Sequence, residues 1–248
     1  MDVVATYSIK GGVGKTSAAI NIGSLAARAG LRTLLWDLDP QGAASFLLRV
    51  KPRVKGGARK LVRGRRDPVE SLKGTDVDGL DLLPADFSYR HLDVVLDREK
   101  KPEKGVGRVL RRLEDEYDLA IVDCAPSISL VSESVFAAAD VLLVPLVPST
   151  LSVRTLDQLT AFLDGRRPAP RVLAFLSMVD RRKRLHRDLA ETLPDAFPGM
   201  AKVAVPSATA VELMGLDRAA VVDTRPRDRA AVAYAALWDE LRAALEEG

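Results

Sequence analysis

The chain of 248 residues reads as an α/β protein, a doubly wound and mostly parallel sheet with helices on both faces, forming a single domain over 1–248. Three observations predict this. Short apolar runs alternate with helical patterns from one end of the chain to the other, as parallel strands joined by crossover helices do. The run Val141–Val147 is apolar throughout, which suits a strand covered on both faces. The run Val3–Ile9 leads through a glycine-rich turn into a helical pattern, the strand-loop-helix unit of phosphate-binding folds.

The elements follow in order. Val3–Ile9 is the first strand, and Thr16 to Ala29 a helix that Gly30 stops at a C′ position. Leu31–Leu38 is a strand running into Asp37-Leu38-Asp39-Pro40. The stretch 49–67 is rich in Lys, Arg and Gly and is expected to form a basic surface excursion rather than core. Leu80–Pro84 is a short strand, Val106 to Tyr117 an amphipathic helix, and Leu119–Asp123 a strand ending in acid. After strand Val141–Val147 come helix Val153–Leu163, strand Val172–Met178, helix Leu185–Leu193 and strand Lys202–Val205. A helix from about Arg229 to Leu245 closes the chain.

Composition excludes several classes. The lone cysteine, Cys124, rules out an intrachain disulfide and points to a reducing compartment. His91 and His186 lie far apart, so neither a transition-metal site nor a histidine-based triad is expected. Met1-Asp2 leads straight into a strand, leaving no room for a signal peptide, and no apolar stretch suits a membrane span. A net charge of +3 is modest, so its clustering matters more than its sum.

Lys10-Gly11-Gly12-Val13-Gly14-Lys15-Thr16 carries the chemistry. In the pattern G-x-x-x-x-G-K-[ST], backbone N–H groups cradle phosphates, the lysine reaches the β and γ oxygens, and the hydroxyl holds Mg²⁺. Gly14-Lys15-Thr16 fits, but the first glycine of the pattern falls at Ile9, and the glycines crowd instead behind Lys10. A dinucleotide fold would need a glycine where Ser17 stands. Ile121-Val122-Asp123 is an apolar strand ending in a carboxylate suited to Mg²⁺, held through the ion's water shell. Asp37 and Asp39 end the second strand.

The loop with its front lysine, the string Asp37-Leu38-Asp39-Pro40-Gln41-Gly42 and Asp123-Cys124-Ala125-Pro126-Ser127 together resemble the ParA/MinD family of ATPases with a deviant Walker A loop, nearest to the small ParA/Soj-type partition ATPases. The resemblance is strong at 8–42 and 119–127 and weak at 45–80 and beyond 206; Ala125 replaces a family proline, and the E-A-P expected after Pro206 is missing. It implies a P-loop NTPase fold, ATP and Mg²⁺ as cofactors, and ATP contacts along Lys10–Ser17, with Pro206 beside the adenine. Lys10 would reach the partner's nucleotide in an ATP-bound homodimer, Asp39 would orient the attacking water, and Asp37 would support the site. Thr16, Asp39 and Asp123 would serve the metal.

What the switch acts on is read from charge. Arg181, Arg182, Lys183, Arg184 and Arg187 make a dense basic cluster opening a helix, suited to nonspecific double-stranded DNA. The basic segment 49–66 could bind DNA, a partner or neither. The resulting expectation is a slow, partner-stimulated ATPase that segregates or positions DNA or another large cargo, nucleoid-associated in the cytoplasm, with a ParB-like or other stimulating protein. The alternative is a MinD-like regulatory ATPase at a membrane, disfavoured by the acidic C-terminal helix. One cysteine cannot serve an iron–sulfur relative of this loop.

Overall fold

The computed structural model describes residues 1–166 and 169–247. Its centre is an eight-stranded sheet in the order β3-β4-β2-β5-β1-β6-β7-β8. The strands are β1 (Asp2–Thr6), β2 (Thr33–Asp37), β3 (Lys73–Gly74), β4 (Leu80–Leu83), β5 (Leu119–Asp123), β6 (Val141–Leu146), β7 (Arg171–Val179) and β8 (Met200–Pro206). All neighbours run parallel except β3, which pairs antiparallel with β4 at the edge.

Because side chains alternate across a strand, each strand feeds two cores. Val4, Leu35, Ile121, Leu143 and Phe175 face one side, with α1 (Lys15–Arg28), α2 (Ala43–Leu47), α9 (Thr209–Asp217), α10 (Val221–Thr224) and α11 (Arg229–Glu246). Ala5, Trp36, Val122, Leu142 and Leu176 face the other. That side carries α3 (Gly57–Val62), α4 (Leu92–Asp97), α5 (Gly105–Leu110), α6 (Leu130–Phe136), α7 (Thr150–Leu163) and α8 (Arg184–Ala196). The continuous apolar runs expected of parallel strands thus have both faces covered.

Helix α1 ends as its sequence predicts. Gly30 takes φ 91°, and the N–H of Leu31 bonds back to the Ala26 carbonyl at 3.2 Å, closing a Schellman turn.

Two expectations need correction. The segment 49–67 is only partly a surface excursion: it forms α3, and Val54, Ala58, Leu61 and Val62 are buried in the core. Most of its charges stay outside, where Lys55 and Arg66 both pair with Glu70, at 3.0 and 3.2 Å, while Arg63 is largely buried and pairs with Glu99 at 2.7 Å. The helix expected over Val106–Tyr117 stops at Leu110. Beyond it Glu114-Asp115-Glu116 would set three carboxylates on the negative end of a helix dipole, and the chain turns instead, with the Tyr117 hydroxyl donating to Asp81 at 2.7 Å.

Candidate nucleotide site

The loop between β1 and α1 turns on two left-handed glycines, Gly12 at φ 69° and Gly14 at φ 99°. Gly14 has a second constraint: a Cβ there would lie 2.8 Å from Ser177 Oγ at the end of β7. The turn aims Lys15 inward, where its Nζ donates to the Lys10 carbonyl at 3.1 Å. Burial pulls the Lys15 ammonium below its ordinary range, while Asp123, Cys124 and Asp39 oppose that shift. Lys10 leans the other way, and its Nζ donates to Ser152 Oγ in the first turn of α7 at 3.3 Å.

Below the loop lie the acids. β2, β5 and β1 run side by side, and their register sets Asp37 beside Asp123 and Asp123 beside Thr6. Thr16 Oγ1 donates to Asp123 Oδ2 at 2.7 Å and Thr6 Oγ1 to Asp123 Oδ1 at 3.1 Å. Asp37 Oδ2 takes two bonds from Ser45, one from its N–H and one from its hydroxyl, both 2.7 Å. Asp37 Oδ1 is buried without a partner. Burial raises both carboxyls, Asp37 to about 6 and Asp123 to about 7, and the charge of each neighbouring aspartate (Asp39 for the first, Asp37 for the second) adds to the rise.

Two buried carboxyls that resist ionising together, one with an unpartnered oxygen, form a donor set that a divalent cation would relieve. Among the described residues no three His, Cys, Asp or Glu side chains converge as a cage. Mg²⁺ keeps several waters and takes few protein ligands. Thr16 and Asp123 would hold it, with Asp37 behind them.

Above the loop a cleft of about 260 Å³ is lined by Gly11, Gly12, Gly14, Lys15, Thr16, Ser17, Asp39, Pro126 and Met178. Val13 is buried beneath it. Asp39 is half-buried, and its side chain accepts from the Gln41 N–H at 2.9 Å. A smaller cleft of about 80 Å³ shares Gly14, Ser17 and Met178 and is closed by Pro206, Val211, Glu212 and Tyr234. The two clefts therefore adjoin, with Pro206 at the far end of the smaller one.

A family profile described as "AAA domain" matches residues 1–167. A chromosome partitioning protein ParA of Myxococcus xanthus is 33% identical over 201 residues, covering 79% of this chain and 71% of that one. The chain belongs to the ParA/MinD family of ATPases. Among solved structures, a cobyrinic acid a,c-diamide synthase of Mycobacterium smegmatis with bound ADP and magnesium superposes with a TM-score of 0.80 at 28% identity, covering 97% of this chain and 94% of that one. The septum site-determining protein MinD of Pyrococcus horikoshii, complexed with Mg-ADP, has a TM-score of 0.79 over 97% and 95% of the two chains, a likeness of fold at 18% identity.

Against this family background, the loop residues 10–17, Asp37, Asp39 and Asp123 gather at one end of the sheet. The basic cluster lies apart from the phosphate cleft. Arg181 and Arg182 line a broad cleft of about 880 Å³ that borders Pro206 and Glu212. Arg181, Arg182, Lys183, Arg184 and Arg187 are all exposed. Arg182 is forked onto Asp180 with two bonds of 3.0 Å, which holds that carboxyl down at about 2. Sequence reasoning missed Thr6, Ser45, Ser152 and Ser177, since serine and threonine carry no period or spacing that marks them. Met178 was read only as a strand end; its φ of 57°, rare outside glycine, aims it between the two clefts.

Proposed function

We propose that the protein is an ATP-dependent dimerising switch that holds DNA without reading its sequence and segregates or positions DNA or another large cargo. A partner protein of the ParB-like kind would stimulate slow hydrolysis and reset it. The observation that carries the reading is a loop bearing both Lys10 and Lys15 directly over the in-register pair Asp37 and Asp123. Family membership and the relative that holds ADP and magnesium support ATP and Mg²⁺ as its ligands.

In this reading the amides of Gly11 to Ser17 cradle phosphate oxygens, and Lys15 exchanges the Lys10 carbonyl for them. Mg²⁺, when bound, supplies positive charge against the transferring phosphoryl group. Asp39, on the rim of the cleft, aligns the attacking water, and Ser45 keeps Asp37 from turning into that space. Lys10 leaves Ser152 to reach the nucleotide of a second copy. Arg181, Lys183, Arg184 and Arg187 offer a phosphate-binding face that would be doubled in the dimer and would put the protein on the nucleoid.

The membrane alternative loses support at α11. Ala230, Tyr234, Leu237, Trp238 and Leu241 are buried, so the helix spends its main apolar face on the protein's own core and leaves Val232 exposed. No helix among the described residues is long and apolar enough to cross a membrane.

The test is binding of Asp39→Ala protein to random-sequence duplex DNA with ATP and with ADP across a salt series. Binding that needs ATP and weakens steeply with salt is expected. Absence of ATP-dependent binding at low salt overturns the DNA reading, and anionic vesicles in the same assay then decide the membrane one.

A further inference from the structure

Helices α2 and α9 end beside each other, and each turns out through an arginine in the left-handed region. Arg49, just past the α2 cap, has φ 59°, and Arg218, the α9 cap, has φ 51°. A side chain with a Cβ is strained there, and among the described residues only Met178 otherwise shares the conformation without being glycine. The two side chains cross. Arg49 Nη2 donates to the Asp217 carbonyl, the end of α9, at 2.9 Å. Arg218 Nε donates to the Phe46 carbonyl, the end of α2, at 2.8 Å. Arg49 thus satisfies a carbonyl that α9 leaves open at its C-terminus, and Arg218 adds a second bond to the Phe46 carbonyl, which already accepts from the Arg49 N–H at 3.1 Å. The Arg218 guanidinium also lies over the Phe46 ring at 4.6 Å, and Asp76 holds Arg49 from outside at 3.1 Å.

The two helices joined in this way serve opposite ends of the site. α2 carries Ser45, which grips Asp37 and also accepts from the Ala85 N–H at 2.9 Å, and it follows directly on the Asp39 turn. α9 starts beside Ala208, and its Val211 and Glu212 line the smaller cleft with Pro206, the place the proposed ATPase reading gives the nucleotide base. α2 has five residues, too few to stand as a helix without external ties. Ser45 and the buried Ala44 and Leu48 hold its body, and the crossed arginines hold its C-terminal end.

We propose that the crossed Arg49–Arg218 pair is a positioning device that couples filling of the Pro206 cleft to the placement of Asp37 and the Asp39 turn. A nucleotide base seated against α9 steadies α2 through the pair, and α2 in turn steadies the acids. The inference rests on the ATPase reading above.

Glycine is at home in the left-handed region, so Arg49→Gly and Arg218→Gly keep both turns while removing the crossed bonds. In the full-length protein two readouts are taken: hydrogen exchange of residues 43–50 with and without Mg-ADP, and kcat and KM for ATP. In the wild type, Mg-ADP slows exchange over 43–50. In either glycine variant that protection falls and kcat drops by about five-fold, the scale of a modest coupling, while KM stays within about two-fold and the melting temperature does not fall. Arg218→Lys, which retains a donor and a cation over Phe46, restores most of the protection. Wild-type protection and kcat in both glycine variants overturn the proposal, as does a kcat loss that follows the melting temperature. Wild-type protein that binds no nucleotide by calorimetry sinks the ATPase reading together with the pair's role. Binding without hydrolysis sinks the ATPase reading only, and the exchange data still judge the pair.

Discussion

Asp37 and Asp123 meet across neighbouring strands, buried and raised to about 6 and about 7. A carboxyl whose pKa is raised by folding binds its proton more tightly in the native state than in the unfolded chain. Its contribution to stability is therefore complete below the ordinary carboxylate range and is lost as pH rises through about 6 to 7. We expect the ligand-free protein to melt lower at pH 7.5 than at pH 5.5, and Asp123→Asn to flatten that slope in scanning calorimetry. An unchanged slope in the variant would remove Asp123 from the account. Lys15→Ala should abolish ATP binding, because Lys15 is the buried ammonium aimed at the cleft. Gly14→Ala faces both a φ of 99° and a contact of 2.8 Å with Ser177 Oγ. It should cost about 1–3 kcal/mol in a denaturant melt and block nucleotide binding. Gly14→Ala/Ser177→Ala should recover only part of that stability, since it relieves the contact and leaves the backbone strain.

Among the elements, α11 is the best place to separate folding from membrane contact. Leu237 is fully buried against α1 and the sheet, so Leu237→Ala should cost about 2–5 kcal/mol by urea unfolding. It should leave vesicle binding as it is in the parent, whereas a membrane helix would show the reverse. The helices α1, α7 and α11 are legible because their apolar period persists over 14 to 18 residues, and β5 and β6 because each is an unbroken apolar run. α2 and α10, with five and four residues, are too short to carry a period. α3 has a different cause. Its apolar positions Ala58, Leu61 and Val62 do follow helical spacing, but nine basic neighbours between 49 and 66 mask them. In the site, the glycines, lysines and aspartates were legible because each chemistry needs that residue type at that spacing. Ser45 and Thr6 were not, because only the folded register shows which carboxylate they serve.

For the molecule as a whole, charge placement and chain order set the remaining expectations. Among the described residues Arg181 and Lys183 have no ion-pair partner, while Arg182 is bound to Asp180. Replacing Arg181 or Lys183 by alanine should lower the slope of log affinity for DNA against log salt by about 1 each. Arg182→Ala should lower it less, because its charge is already partly answered within the chain. Lys10→Ala should still bind ATP yet sediment as a monomer; a normal dimer in ultracentrifugation would end its role across the interface. The sheet order also has a bearing on how the chain is made. β1, the strand that bears the nucleotide loop, lies between β5 and β6, so both its neighbours come from residues 119–146. At a synthesis rate of roughly 5–20 residues per second, the apolar strand Asp2–Thr6 waits on the order of ten seconds outside the ribosome tunnel with no edge to pair with. During that interval it is a segment for chaperones to shield, and the phosphate loop has no floor of acids beneath it. Nucleotide binding is thus open only to molecules translated beyond Leu146, and bound nucleotide marks a chain whose central strands have already assembled.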